Sequence, residues 1–239
     1  VISDVTDRVA LKTLYDDICA TLPPLGGIAQ GAMVLSDAMF LETDIGRLSK
    51  VLKPKVDGSL YFNELLGDKA LDFFVFFSSV AAVTGNAGQS IYGAANMFMA
   101  GLAAQRRKRG LAASVINIGA IIGNGYVTRE VSQAQQNALR SYGNTWMSEQ
   151  DFHQIFAEGV LASDPSPSEA ADIVTGLRLV NAEEDDKPIW LFNPKFQNFV
   201  LQGEGAESKS NVSKAGVPVK VRLLEAITNE EVYEILKGM

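Results

Sequence analysis

The chain has 239 residues, 47% hydrophobic and 21% charged, which gives one large domain, or one domain and a fragment, with ample material for a core. Its 21 basic and 28 acidic side chains leave a formal charge of −7, a balance that repels phosphate backbones and argues against nucleic-acid binding. A single cysteine, Cys19, excludes an internal disulfide, and with the single histidine, His153, it leaves no zinc cluster.

The longest unbroken apolar stretch, Phe73 to Phe77, is too short to cross a bilayer. The opening residues, VISDVTDRV, carry acids where a signal peptide needs a basic start. The expectation is a cytoplasmic protein with no membrane contact and no metal.

In chain order, VIS reads as the end of a strand and is followed by Asp4-Val5-Thr6-Asp7, with no glycine-rich phosphate turn before it. Cys19, amid a first helix, reads as a small buried apolar side chain. Gly26 to Val34 predicts a buried strand, and Asp44 to Leu66 a helix with apolar residues at helical spacing. Leu71 to Phe77, LDFFVFF, is a second buried strand, bounded by Asp72 and by Ser78-Ser79. Tyr92 to Arg109 is a helix whose Ala and Met positions permit close packing and whose basic end, RRKR, suits the helix dipole. Ala112 to Ile118 is a third buried strand.

Strands that are apolar throughout and alternate with helices imply a parallel sheet covered on both faces. The fold class is therefore α/β, doubly wound. Such a fold ordinarily places its glycine-rich turn first, so the expected fold is incomplete at the N-terminus.

The second half differs. Gly123 to Leu161 is polar, shows no strand signal, and reads as helices and a mobile loop lying over something. Ser168 to Val180 predicts a short helix, and Lys187 to Phe192 a last strand. Gly203 to Gly216 has the composition of a linker, and Lys220 to Met239 the pattern of an amphipathic helix.

Among residues that could carry chemistry, Ser78 and Ser79 end a buried strand, where α/β folds place ligands. Tyr92 and Asn96, four apart, share one helix face. A buried tyrosine can act as a general acid if a cation favours its phenolate, and Lys53 and Lys55 are both candidate cations. Each residue also has a plain reading: strand-end serines satisfy backbone groups, a tyrosine opening a helix packs, and lysines are solvated.

Lys55, Ser79, Tyr92 and Asn96, at intervals of 24, 13 and 4, resemble the active tetrad of ketoreductase domains in polyketide synthases, members of the short-chain dehydrogenase/reductase superfamily. The surrounding blocks resemble it too: GAMVLSD, LKPKVDGSLYF, LDFFVFFSSVAAVTGNAGQSIYGAANMFM and SVINIGAIIGNGYV. The likeness runs from about residue 2 to about 200 and is nearest to the reducing synthases of filamentous fungi and their hybrids with peptide synthetases.

The resemblance implies a Rossmann-like fold and NADPH-dependent reduction of a β-ketone on an acyl chain tethered to an acyl carrier domain. Tyr92 would protonate the developing alkoxide and Ser79 would hydrogen-bond the same oxygen. Lys55 would hold the nicotinamide ribose and lower the Tyr92 pKa, and Asn96 would serve the proton relay. Asp4 and Val5 match the family's adenine contact, Gly31 and Ala32 would pass close to the cofactor, and Gly119 to Ile122 would flank the nicotinamide. The family marks stereochemical classes by an Asp in a Leu-Asp-Asp block and by a Trp eight residues before the Tyr. Leu35-Ser36-Asp37 keeps the second acid, and Thr84 stands at the Trp position.

Residues 123–161 would form a substrate lid, with Tyr142 and Trp146 lining the acyl tunnel. The resemblance further implies that residues 1–202 are the C-terminal part of a catalytic ketoreductase domain. Residues 203–218 would be a linker, and 219–239 the start of an acyl-carrier-like helical segment. The phosphate site would then come from residues outside this chain, within a megasynthase that is homodimeric as a whole. Two other readings stand beside it: a reductase-like scaffold without activity, and a free-standing short-chain reductase.

Overall fold

The computed structural model describes residues 1–122, 143–166, 171–181 and 187–201. The first half runs α1 (Arg8–Thr21), β1 (Gly27–Gln30), α2 (Ile45–Leu66), β2 (Phe73–Ser79), α3 (Val80–Thr84), α4 (Ser90–Lys108) and β3 (Ser114–Ile118). After it come β4 (Ala120–Ile121), β5 (Trp146–Met147), α5 (Glu149–Leu161), β6 (Asp172–Val174), β7 (Val180–Asn181) and β8 (Val200–Leu201). Strands β1, β2, β3 and β6 form one sheet in the order β1-β2-β3-β6, every pair parallel, with Phe76 opposite Val115 and Ile116 opposite Ile173. The chain is the doubly wound α/β fold that its pattern predicts.

The central strand shows why LDFFVFF has no polar alternation. Successive side chains of a strand point to opposite faces. Phe74 and Phe76 stack on each other at 4.4 Å and pack with Leu66 of α2 and Met99, Leu102 and Ala103 of α4. On the other face Phe73 and Phe77 meet Phe156 of α5, and Phe77 also meets Phe152. Each fully buried phenylalanine contributes roughly 1.5–3 kcal/mol, so the strand needs a helix layer on either side.

Helix α5 is placed by small size and by its cap. A Cβ on Gly159 would stand 2.5 Å from Ile116 Cδ1, so the glycine lets the helix lie close on β3. Ser148 and Asp151 form a reciprocal capping box at its start. This helix is a layer of the sheet, which corrects the expectation that residues up to Leu161 form a lid.

The basic end of α4 is structural. Arg106 is buried, donates to Asn63 Oδ1 at 2.8 Å and to the Ala112 carbonyl at 3.2 Å, and lies over the Phe74 ring. Arg107 donates to the carbonyls of Ala162 and Ser166, fastening the chain that follows α5.

Several local expectations are corrected. Val1 and Ile2 are exposed and join no ladder, and Cys19 is exposed because it falls on the outer side of α1. Within 168–180 the described residues hold strand β6, not a helix. Tertiary pairing of Asp172-Ile173-Val174 with β3 overrides local propensity, and Gly176, at φ +75°, turns the chain. KPIWLF is not a strand but a 3₁₀ turn at Ile189–Phe192, preceded by Pro188, which has no N–H to give a ladder. Trp146 and Met147 do form a short strand, paired with β4.

The mobile-loop reading of residues 123–142 falls outside the described residues. The chain divides into two units, Val1–Leu201 and Gln202–Met239, and the second, with the expected linker and terminal helix, is also outside them. No described helix is long and apolar enough to cross a membrane.

Where β3 ends, Gly119 meets Gly176 backbone to backbone: a Cβ on either would stand 2.6 Å from the other's Cα. Gly119→Ala is expected to destabilise the fold by about 1–3 kcal/mol, read as a lower urea midpoint. An unchanged midpoint would mean that the two segments separate freely.

Candidate active site

The C-terminal ends of β1, β2 and β3 open into one cleft of about 900 Å³, whose wall includes Gly31 after β1, Ser78 and Ser79 at the end of β2, and Ile118 and Gly119 at the end of β3. Parallel α/β sheets place ligands at this edge, where loops diverge and backbone groups are left over.

Lys55 reaches the cleft from α2. It is only 2% exposed, and its Nζ donates to the Phe77 carbonyl at 2.8 Å and stands 5.5 Å from the centre of the Tyr92 ring. Burial lowers its pKa from 10.5 to about 8. Lys53 is exposed and does not line the cleft. Two residues on a helix are about 200° apart, so only one of the pair can face the sheet.

Tyr92, in the first turn of α4, is buried in the cleft wall, and its hydroxyl points at Met33 Sδ, 3.7 Å away. Burial pushes its pKa up; interaction with Asn96 and Ser79 pulls it back, and the Asp37 charge adds to the rise. Asn96, one turn on, is fully buried behind Tyr92 and donates to the Tyr92 carbonyl at 3.0 Å. Ser79 Oγ accepts from the Ala81 amide at 3.2 Å and caps α3. That bond uses a lone pair and leaves the hydroxyl hydrogen available. The neighbouring Ser78 Oγ is buried and has no hydrogen-bond partner among the described residues.

The other sequence candidates are distributed unevenly. Gly31, Gly119 and Asp37 line the cleft. Asp37 accepts from Gln89 Nε2 at 2.9 Å, and its carbonyl is held by Arg47 at 3.1 Å. Ile122, exposed, does not line the cleft, nor does Ala32, whose amide is bound by Gln30. Asp4 and Val5 also lie off it. The Asp4 carboxylate accepts from the Thr6 amide and hydroxyl, both at 2.9 Å, which holds it below the usual carboxylate range, and Val5 packs over Gly58.

Trp146, expected in an acyl tunnel, does not line the cleft, although its strand pairs with Ala120 and Ile121, which do. Tyr142 falls outside the described residues. His153 is exposed and also lies off the cleft.

Sequence reasoning missed Met33, Gln89, and the pair Ile189 and Trp190. Met33 could have been found by its place two residues after Gly31. The signal for Trp190 was lost when its segment was read as a strand.

The KR domain family matches residues 1–123. Among curated proteins, the hybrid PKS-NRPS synthetase poxE of Penicillium oxalicum is 53% identical over 235 residues. The polyketide synthase-nonribosomal peptide synthetase phmA of Phaeosphaeria nodorum is 54% identical over 235 residues. Each alignment covers 98% of this chain and 6% of the relative, so the chain spans a small part of those proteins. Among solved structures, the ketoreductase from the first module of phoslactomycin biosynthesis in Streptomyces sp. HK803 superposes with a TM-score of 0.64 at 32% identity, over 73% of this chain and 38% of that one. An A1-type ketoreductase gives a TM-score of 0.64 at 29% identity, over 74% and 35%.

Proposed function

Because the chain belongs to the KR domain family of polyketide synthases, we propose that it carries the catalytic face of an NADPH-dependent ketoreductase, which reduces the β-keto group of an acyl chain on a carrier domain to a hydroxyl. The observation that carries this reading is the meeting of Lys55, Ser79 and Tyr92, from three separate elements, on one cleft.

The residues fit the nicotinamide end of a dinucleotide. Gly31 has no side chain to obstruct approach beside the Phe77 ring, Lys55 offers a buried donor, and Ser78 Oγ is a buried polar atom in want of a partner. When bound, the cofactor supplies the hydride. Ser79 donates its free hydrogen to the ketone oxygen and stabilises charge where it develops. The Tyr92 hydroxyl gives that oxygen its proton. Lys55, whose Nζ stands 5.5 Å from the centre of the Tyr92 ring, then stabilises the phenolate that remains. Asn96 holds the first turn of α4 through the Tyr92 carbonyl and so positions the acid.

Residues 203–218 are assigned as a linker and 219–239 as a carrier-like segment, within a cytoplasmic, homodimeric megasynthase.

The test is reduction of a β-ketoacyl thioester by the complete domain with NADPH, followed by chiral analysis. With Asp37 present and Thr84 at the Trp position, the expected product is the alcohol of the Asp-marked class. The opposite alcohol would show that Asp37 does not orient substrate. No reduction at all would overturn the functional reading.

A further inference from the structure

Gln30 ends β1 and is 2% exposed, and its amide is engaged on both sides. Nε2 donates to the Pro54 carbonyl at 2.8 Å and lies 3.4 Å from Ser59 Oγ, while Oε1 accepts from the Ala32 amide at 3.2 Å. One side chain thus ties the end of β1, the turn after it and the middle of α2.

Its attachment falls where α2 is weakest. Pro54 lies inside that helix and has no N–H, so the bond to the Lys50 carbonyl one turn earlier is missing. The carbonyl that Gln30 holds belongs to the planar peptide unit that also carries the Lys55 nitrogen, so holding the oxygen fixes the plane from which Lys55 departs. Gly58 makes the approach possible: a Cβ there would stand 3.1 Å from Gln30 Nε2 and 3.0 Å from Val5 Cγ2.

We propose that Gln30 is a positioning residue for the ketone reduction, its amide bracing α2 against β1 at Pro54 and so setting where Lys55 stands beside Tyr92 and the cofactor. The inference rests on the ketoreductase reading. Without the amide, the Pro54 carbonyl loses its external donor and the Ala32 N–H loses its acceptor, and both segments are free to shift. A misplacement of about 1 Å at a reacting group costs on the order of 10²-fold in rate.

The experiment compares wild type, Gln30→Met and Gly58→Ala in the complete ketoreductase domain, with kcat and the NADPH KM measured separately and the folded fraction followed by circular dichroism. Gln30→Met keeps length but cannot donate. It is expected to lower kcat by roughly 10–10²-fold and to raise the NADPH KM several-fold in folded protein. Gly58→Ala keeps Gln30 but crowds its amide, and should move both constants the same way by less. A kcat that falls only with the folded fraction, at unchanged KM, would show that Gln30 merely packs and would overturn the proposal; so would two unchanged constants. If Gln30→Met does not fold, Gly58→Ala decides by the same split. If the wild type reduces no ketone, the ketoreductase reading is what fails. NADPH fluorescence titration of wild type and variants then judges Gln30, with equal affinities counting against it.

Discussion

Tyr92→Phe in the complete domain is expected to slow ketone reduction by about 10²–10⁴-fold, the range for loss of one positioned general acid, while NADPH binding stays near wild type. Only the hydroxyl is removed, and the ring keeps its place in the cleft wall and its distance from Lys55. The hydroxyl points at Met33 Sδ and interacts with Asn96 and Ser79 at the cleft, and removing it takes away no apolar packing, so the fold should stay intact. The measurement pairs steady-state reduction of a β-ketoacyl thioester with fluorescence titration of NADPH. Near-normal turnover would remove Tyr92 from the mechanism, and a parallel loss of NADPH affinity would show that the hydroxyl serves binding instead.

Lys55→Met is expected to give opposite results for activity and stability. Reduction should fall by about 10²–10³-fold, as for removal of one preorganised electrostatic group. The stability effect follows from the depressed pKa. The unfolded chain holds the Lys55 proton up to 10.5, whereas the folded protein releases it near 8. Between those values the unfolded state binds more protons, so the Lys55 contribution to stability rises with pH across that window. Below pH 8 both states are protonated and the full penalty for burying the cation stands, roughly 3 kcal/mol.

Met carries no such penalty but leaves the Phe77 carbonyl without its donor, a loss of about 1–3 kcal/mol. At pH 7 the variant should therefore be at least as stable as wild type. Wild-type stability should gain on it as pH rises from 8 to 10.5. Urea unfolding of both proteins across that range checks this, and parallel curves would mean that Lys55 is not held as a buried cation.

The legible parts of this chain are those with a local period. Strands at Gly27, Phe73 and Ser114 were readable because each is a short, mainly apolar run without a solvent-facing polar side, as a parallel sheet between helix layers requires. The helices at Ile45 and Ser90 announced themselves by apolar spacing, and the strand-end serines and the Tyr92–Asn96 pair stood out against them. The region after Gly119 was poorly legible. Its strands are two or three residues long, too short for a period to show, and they form because a neighbouring ladder accepts them.

The sequence by itself determined the order of the main strands and helices as far as β3 and the residue types at the carboxyl ends of those strands, because side-chain period and residue type are properties of neighbours in the chain. Tertiary structure alone decided which of Lys53 and Lys55 faces the sheet, that Trp190 and not Trp146 borders the cleft, and that Gln30 reaches the Pro54 carbonyl. Each of these depends on groups far apart in sequence brought together by burial. A buried polar atom must find its partner wherever the packed fold puts one, and no local pattern records where that is.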